Sequence, residues 1–155
     1  MYQSNVITGI LNKVGIHYYL SKHDQEQQTD AVIIPLFVWK EEHAGIVIDC
    51  DPEDEVDIFV TGFIPVSMIS DMAEEELKKA VNDDNIRNAG VQAFIENDTV
   101  YVRRTIDVSE GIFPRIVINA IYDVKDTIYR YRKEARDRGN FPVDKTGFEM
   151  PELPT

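Results

Sequence analysis

A chain of 155 residues is long enough to bury roughly 70% of its unfolded surface, so one domain needs neither a disulfide nor a metal to hold together. Its 16 basic residues against 28 acidic ones leave a net charge of −12. That balance opposes a non-specific grip on nucleic acid or an anionic membrane, because phosphate binding is driven by Lys and Arg releasing counterions.

The apolar share of 43% is ordinary for a globular protein, and a lone cysteine, Cys50, excludes an internal disulfide. Nothing basic flanks it in "IVIDCD", which predicts a small strand residue rather than a reactive thiol. The first fifteen residues are amphipathic rather than continuously apolar, so no signal peptide is expected. The longest apolar run, "AVIIPLFVW", is far too short to cross a bilayer. A cytoplasmic location is expected.

Val6, Ile7, Ile10, Leu11 and Val14 recur at helical spacing with Gly15 as a stop, which predicts a first helix over residues 3 to 14. "SKHDQEQQTD" reads as a polar loop. "AVIIPLFVWK" is apolar on both strand faces, and Pro35 within it predicts an edge or a bulge, since proline has no ladder donor. "GIVIDC" and "VDIFVTGFI" are two further strands rich in branched and aromatic residues. The segment "SDMAEEELKKAVNDDNIRNAG" then reads as a helix, with Asp71 and Glu74 spaced as a capping box and Gly90 closing it. "VQAFIENDTVYVRRTID" alternates on both sides of Asn97-Asp98, a hairpin signal. Pro114 opens a long helix to about Arg138, with Gly139 beyond its end.

The expected fold is therefore α+β: an antiparallel sheet of about five strands with helices mainly on one face, in the order α-β-β-β-α-β-β-α. Residues 1–138 are expected to form the single domain, and the proline-bearing residues 139–155 a flexible tail.

The densest charge is "DCDPEDEVD", residues 49 to 57, with carboxylates at Asp49, Asp51, Glu53, Asp54, Glu55 and Asp57. An EF-hand loop needs glycine at its sixth position and glutamate at its twelfth. Counted from Asp49 those positions hold Asp54 and Val60, so the pattern is incomplete and a solvated turn between strands is expected. Catalytic carboxylate pairs need environments that push their pKa values apart, and one solvated segment supplies none. His17, His23 and His43 lack the spacing of a zinc helix, no glycine-rich phosphate loop is present, and a triad of Ser70 or Ser109 with one of these histidines would need a tertiary contact that the sequence does not show. No catalytic residue, cofactor or metal is expected, and the chain is not expected to be an enzyme. The basic run "RYRKEARDR" complements the C-terminal dipole of its helix, with a patch for an acidic partner as the alternative.

Apolar surface is the surplus. On the last helix Val117, Ala120, Ile121, Val124, Ile128 and Tyr131 form one stripe, while Ile112, Phe113, Ile118, Tyr122 and Tyr129 extend it around the cylinder. Phe37, Trp39, Phe59, Phe63, Phe94 and Tyr101 add rings on the strands. Such a surplus either makes an aromatic-rich core or is covered by a partner or a second copy. Phe59, Phe63, Tyr101, Ile118 and Tyr122 are the candidate partner contacts.

The helix ending "NKVGIHYYL", the strand passage "GIVIDCDPEDEVDIFVTGFIPV", the segment "GVQAFIENDTVYVRRTIDV" and the helix after "FPRIVINAIYDV" together resemble the YbjN-like family, over about residues 4 to 138. Its fold is akin to that of type III secretion chaperones. The resemblance implies a non-enzymatic, often dimeric module of chaperone or regulatory type, with no catalytic residue to carry over. The expected partner is another polypeptide, with a homodimer as the working form and neither nucleic acid nor membrane as ligand. The alternatives from other classes are a divalent-cation or small-ligand-binding protein using residues 49–57, and an acidic inhibitor or immunity-type protein blocking a basic site.

Overall fold

The computed structural model describes residues 3–22, 30–39, 42–49, 57–69, 74–87 and 90–137. Helix α1 is Gln3–Val14, as its periodicity predicts. It ends because Gly15 takes φ 82°, which lets the Gly15 and Ile16 amides both donate to the Leu11 carbonyl. Ile16 then tucks under the helix end and is buried.

Six strands follow: β1 (Tyr19–Lys22), β2 (Asp30–Trp39), β3 (Glu42–Asp49), β4 (Asp57–Pro65), β5 (Gln92–Glu96) and β6 (Thr99–Asp107). A 3-10 turn at Val66–Ile69 and helix α2 (Glu74–Arg87) lie between β4 and β5, and α3 (Pro114–Asp137) closes the chain. The fold is α+β, and its sheet has six strands rather than five. The added strand is β1, paired with β2 from Tyr19↔Ile33 to Lys22↔Asp30, so the polar stretch expected to loop from residue 21 begins as an edge strand. Pro35 marks a bulge: the register with β3 shifts between Pro35 and Phe37.

Every neighbouring pair of strands is antiparallel, in the spatial order β1-β2-β3-β4-β6-β5. β6 lies between β4 and β5, so β4 and β5 run parallel, joined across it through α2. The β5–β6 hairpin turns at Asn97 and Asp98, both at positive φ (49° and 56°), as the sequence predicts.

One face of the sheet carries the core. Val32, Ile34, Ile46, Ile48, Ile58, Val60, Ile64, Val100 and Val102 point toward the helices, joined by Ile7 and Leu11 of α1, Leu77 of α2 and the α3 stripe. The α3 stripe is the predicted one: Val117, Ala120, Ile121, Val124, Ile128 and Tyr131 are all buried, with Thr127 alongside them. Full burial of each large aliphatic side chain stabilises by about 1.5–3 kcal/mol, which is why the helix lies along this face. Its seat is Gly62, where an added Cβ would come within 2.5 Å of Val124 Cγ1 and 2.9 Å of Ile128 Cγ1. Strand β5 is an edge, and Asn85 of α2 closes it. The Asn85 amide donates to the Ala93 carbonyl (2.9 Å) and accepts from the Ala93 N–H (2.6 Å), as a neighbouring strand would.

Cys50, His23, Ser70, the Asp71 cap, the Gly139 stop, the tail at 139–155 and residues 50–56 of the acidic run lie outside the described residues.

Candidate functional site, the open face of the sheet

Side chains alternate across a strand, so the residues between the core positions share the opposite face. On β4 these are Asp57, Phe59, Thr61, Phe63 and Pro65; on β6, Thr99, Tyr101, Arg103, Thr105 and Asp107; on β5, Gln92, Phe94 and Glu96. The register places Phe63 opposite Tyr101, Thr61 opposite Arg103 and Phe94 opposite Tyr101. Val47 and Gly45 of β3, then Ile33 and Pro35 of β2, continue the same face.

The centre is aromatic. Phe94 and Tyr101 stack with ring centroids 5.1 Å apart and planes 18° apart. Arg103 lies among the rings, its guanidinium carbon 5.3 Å from the Phe59 centroid and 5.4 Å from that of Phe94. Its Nε donates to Thr61 Oγ1 at 3.3 Å. Aromatic faces attract a cation through their quadrupole, and Arg stacks on them more readily than Lys because its head is planar and weakly hydrated. The guanidinium in turn shields Thr61, which is 8% exposed although it faces away from the core.

The acidic residues gather at one end. Asp57 is opposite Asp107, and Asp49 is opposite Phe59, so all three share this face near the β3–β4 connection. Asp107 accepts a hydrogen bond from the Ser109 amide at 2.8 Å, and the Ser109 hydroxyl and amide together hold its carboxyl below the usual carboxylate range. The acidic run therefore joins two antiparallel strands. Among the described residues no group of three His, Cys, Asp or Glu side chains is placed to hold a metal ion.

The five candidate contacts divide between two surfaces. Phe59, Phe63 and Tyr101 come together on the open sheet face, each half-buried. Ile118 and Tyr122 lie on the flank of α3, half-buried against the core, with Lys125 Nζ 4.3 Å from the Tyr122 ring centroid. On the opposite flank of α3, Ile116 is 45% exposed, and Phe113, just before the helix, is 52% exposed. Arg103 and Thr61 were not among the expected contacts. The usable signal was the parity of "TVYVRRTID", which puts Tyr101 and Arg103 on one face and Arg104 on the other. Arg104 indeed turns toward α3 and pairs with Asp123. His17 and His43 are both exposed, and His43 lies in β3. No helix among the described residues is long and apolar enough to cross a membrane.

No protein-family model and no curated protein matches the sequence. Solved structures do match. The crystal structure of YbjN from E. coli, a proposed transcription regulator, shares 15% identity with a TM-score of 0.55, covering 87% of this chain and 92% of that one. An uncharacterized protein from Methanothermobacter thermautotrophicus shares 13% identity with a TM-score of 0.60, covering 87% and 97%. The HopA1-SchA chaperone-effector complex contains a chain at 12% identity with a TM-score of 0.54, covering 84% and 92%. The element order, the six antiparallel strands and these similarities agree: the protein has a YbjN-like fold.

Proposed function

We propose that this protein is a non-enzymatic, cytoplasmic module of chaperone or regulatory type that binds another polypeptide through apolar surface and works as a homodimer. The observation that carries the proposal is the open sheet face. Phe59, Phe63, Phe94 and Tyr101 form a half-buried aromatic strip there, while the described helices α1, α2 and α3 pack on the other side. A flat apolar strip with a polar surround has the composition of an interface core. The likeness of the fold to a chain in a chaperone–effector complex supports the same reading. A second apolar surface, on the flank of α3 that carries Ile118 and Tyr122, is separate from the first and is assigned to the second copy. The net charge of −12 argues against nucleic acid and anionic membranes as partners.

Affinity purification from the native host followed by mass spectrometry tests the first part. A polypeptide retained by the wild-type chain and lost with Phe63→Ser or Tyr101→Ser is the expected result. A retained metabolite and no polypeptide would instead favour a small-ligand-binding protein. Light scattering tests the second part: a strict monomer at micromolar concentration removes the homodimer.

A further inference from the structure

We propose that the open sheet face binds a carboxylate-bearing polypeptide segment, with Arg103 as the residue that reads the carboxylate. This deepens the binding reading above and rests on it, and it adds the chemistry of the partner. An arginine has five N–H donors in a planar fork. In Arg103 the Nε donor is committed to Thr61, and the two terminal nitrogens have no acceptor among the described residues. The chain carries 28 acidic residues, yet none of the described ones pairs with this guanidinium, whereas its sequence neighbour Arg104 has Asp123. Thr61, Phe59 and Phe94 fix the stem and plane of the side chain from three directions. The ordering cost of a bidentate carboxylate contact is therefore met before any ligand arrives.

The surroundings select the class of anion. Asp57 and Asp107 crowd the far end of the same face, about 13 Å along β6 from Arg103 at four residues of roughly 3.3 Å each, and Asp49, two strands over, stands at the register of Thr105. A phosphate dianion near one arginine would meet that field and the net charge of the whole chain. A monoanionic Asp or Glu side chain meets less of it, and apolar neighbours compensate. In an extended segment the residues two before and two after the carboxylate point the same way, onto the rings of Phe94, Tyr101, Phe63 and Phe59. Toward Asp107 the acidic end repels a carboxylate, and in the other direction no further Lys or Arg stands on this face among the described strand residues, so Arg103 fixes the register of the bound segment.

A second copy of this chain fits the face poorly. With a two-fold axis along the strands, the acidic ends of both copies meet. With the axis across them, setting Arg103 against the other copy's Asp107 carries Phe63, Tyr101 and Phe94 beyond the acidic end of the opposing sheet. In neither arrangement do the aromatic strip and the guanidinium both find partners.

The test is selection of a random twelve-residue phage-displayed peptide library against the full-length chain and, in parallel, against Arg103→Glu, Arg103→Gln and Tyr101→Ser. The wild-type chain is expected to enrich peptides with an Asp or Glu flanked at two-residue spacing by aromatic or branched residues. Replacing that acid by its amide in a synthetic copy of the leading peptide should weaken binding about tenfold on the wild-type chain and not on Arg103→Gln. Arg103→Glu should enrich Lys or Arg at the same place, and Tyr101→Ser should enrich nothing. Circular dichroism of each variant guards against misfolding, and Arg103→Lys, which keeps the charge but loses the fork, should bind at intermediate strength. Enriched apolar peptides without a carboxylate preference would overturn the role of Arg103 while leaving polypeptide binding standing. No enrichment by the wild-type chain would overturn both. A dimer in light scattering that Arg103→Glu dissociates would overturn the inference by showing that a second copy occupies the face.

Discussion

The contact between α3 and the sheet can be tested at a single atom. Gly62→Ala adds one methyl at the centre of β4, where the new carbon would come within 2.5 Å of Val124 Cγ1, 2.9 Å of Ile128 Cγ1 and 3.3 Å of Ile128 Cδ1. Carbon atoms in good contact sit about 3.5–4.0 Å apart, so Val124 must retreat by about 1 Å. It cannot swing aside: a β-branched residue in a helix has one favoured χ1, and Ile128, one turn on, is branched too. The helix backbone must move, and it is anchored along its length by Val117, Ile121 and Tyr131. Overpacking of this kind costs about 1–3 kcal/mol, and two stiff neighbours put this site in the upper half, about 2–3 kcal/mol. For a chain of this size that lowers Tm by about 4–12 °C. Urea unfolding followed by circular dichroism measures the loss. Val124→Ala should be destabilising alone, by about 2 kcal/mol, because it leaves a gap. On that background Gly62→Ala should cost less than about 1 kcal/mol, since its methyl enters the vacated space. If Gly62→Ala matches the wild type, or if the two losses simply add, α3 does not rest on β4 as described.

Asn85→Ala should cost about 1–3 kcal/mol by freeing the Ala93 N–H and carbonyl at the sheet edge, and hydrogen exchange at Ala93 should accelerate well beyond that of Val102. Asp98→Gly should stabilise the chain by about 0.5–1 kcal/mol in thermal unfolding, because glycine adopts the positive φ of this turn without strain, and the carbonyl that accepts from Val66 is retained. The Asp107 carboxyl should titrate below its ordinary value in an NMR pH series, and Ser109→Ala should move it back upward. A carboxylate depressed by folding stabilises the folded state above its unfolded pKa, and that contribution is lost as pH falls through the folded value. Stability should therefore depend less on acid pH in Ser109→Ala than in the wild type.

Much of the candidate site was visible as composition but not as geometry. The surplus of rings marked Phe59, Phe63 and Tyr101, and the structure gathers those three on one surface. Ile118 and Tyr122 carried the same signal, yet they lie on α3, on the other side of the sheet. A count of apolar residues has no direction, whereas a sheet separates its two faces absolutely. Arg103 carried no such signal, because a basic residue in an alternating strand reads as a solvated position. Its significance comes from Thr61, 42 residues earlier in the chain, and from the rings on either side.

Features that depend on a few neighbouring residues were legible in the chain alone. Helix α1 stops at Gly15, α3 starts at Pro114, the hairpin turns at Asn97-Asp98, and the α3 stripe is buried residue for residue, because caps, turns and periodicity act within one or two turns of chain. The rest follows from long-range packing. Strand β1, four residues with little apolar alternation, exists because the free edge of β2 offers it a ladder. The place of β6 between β4 and β5 is a long-range pairing, and it sets Phe94 and Phe59 on opposite sides of Arg103. Strand pairing is a contest among distant segments for the same hydrogen bonds and the same buried face, and no local stretch of sequence records which segment wins.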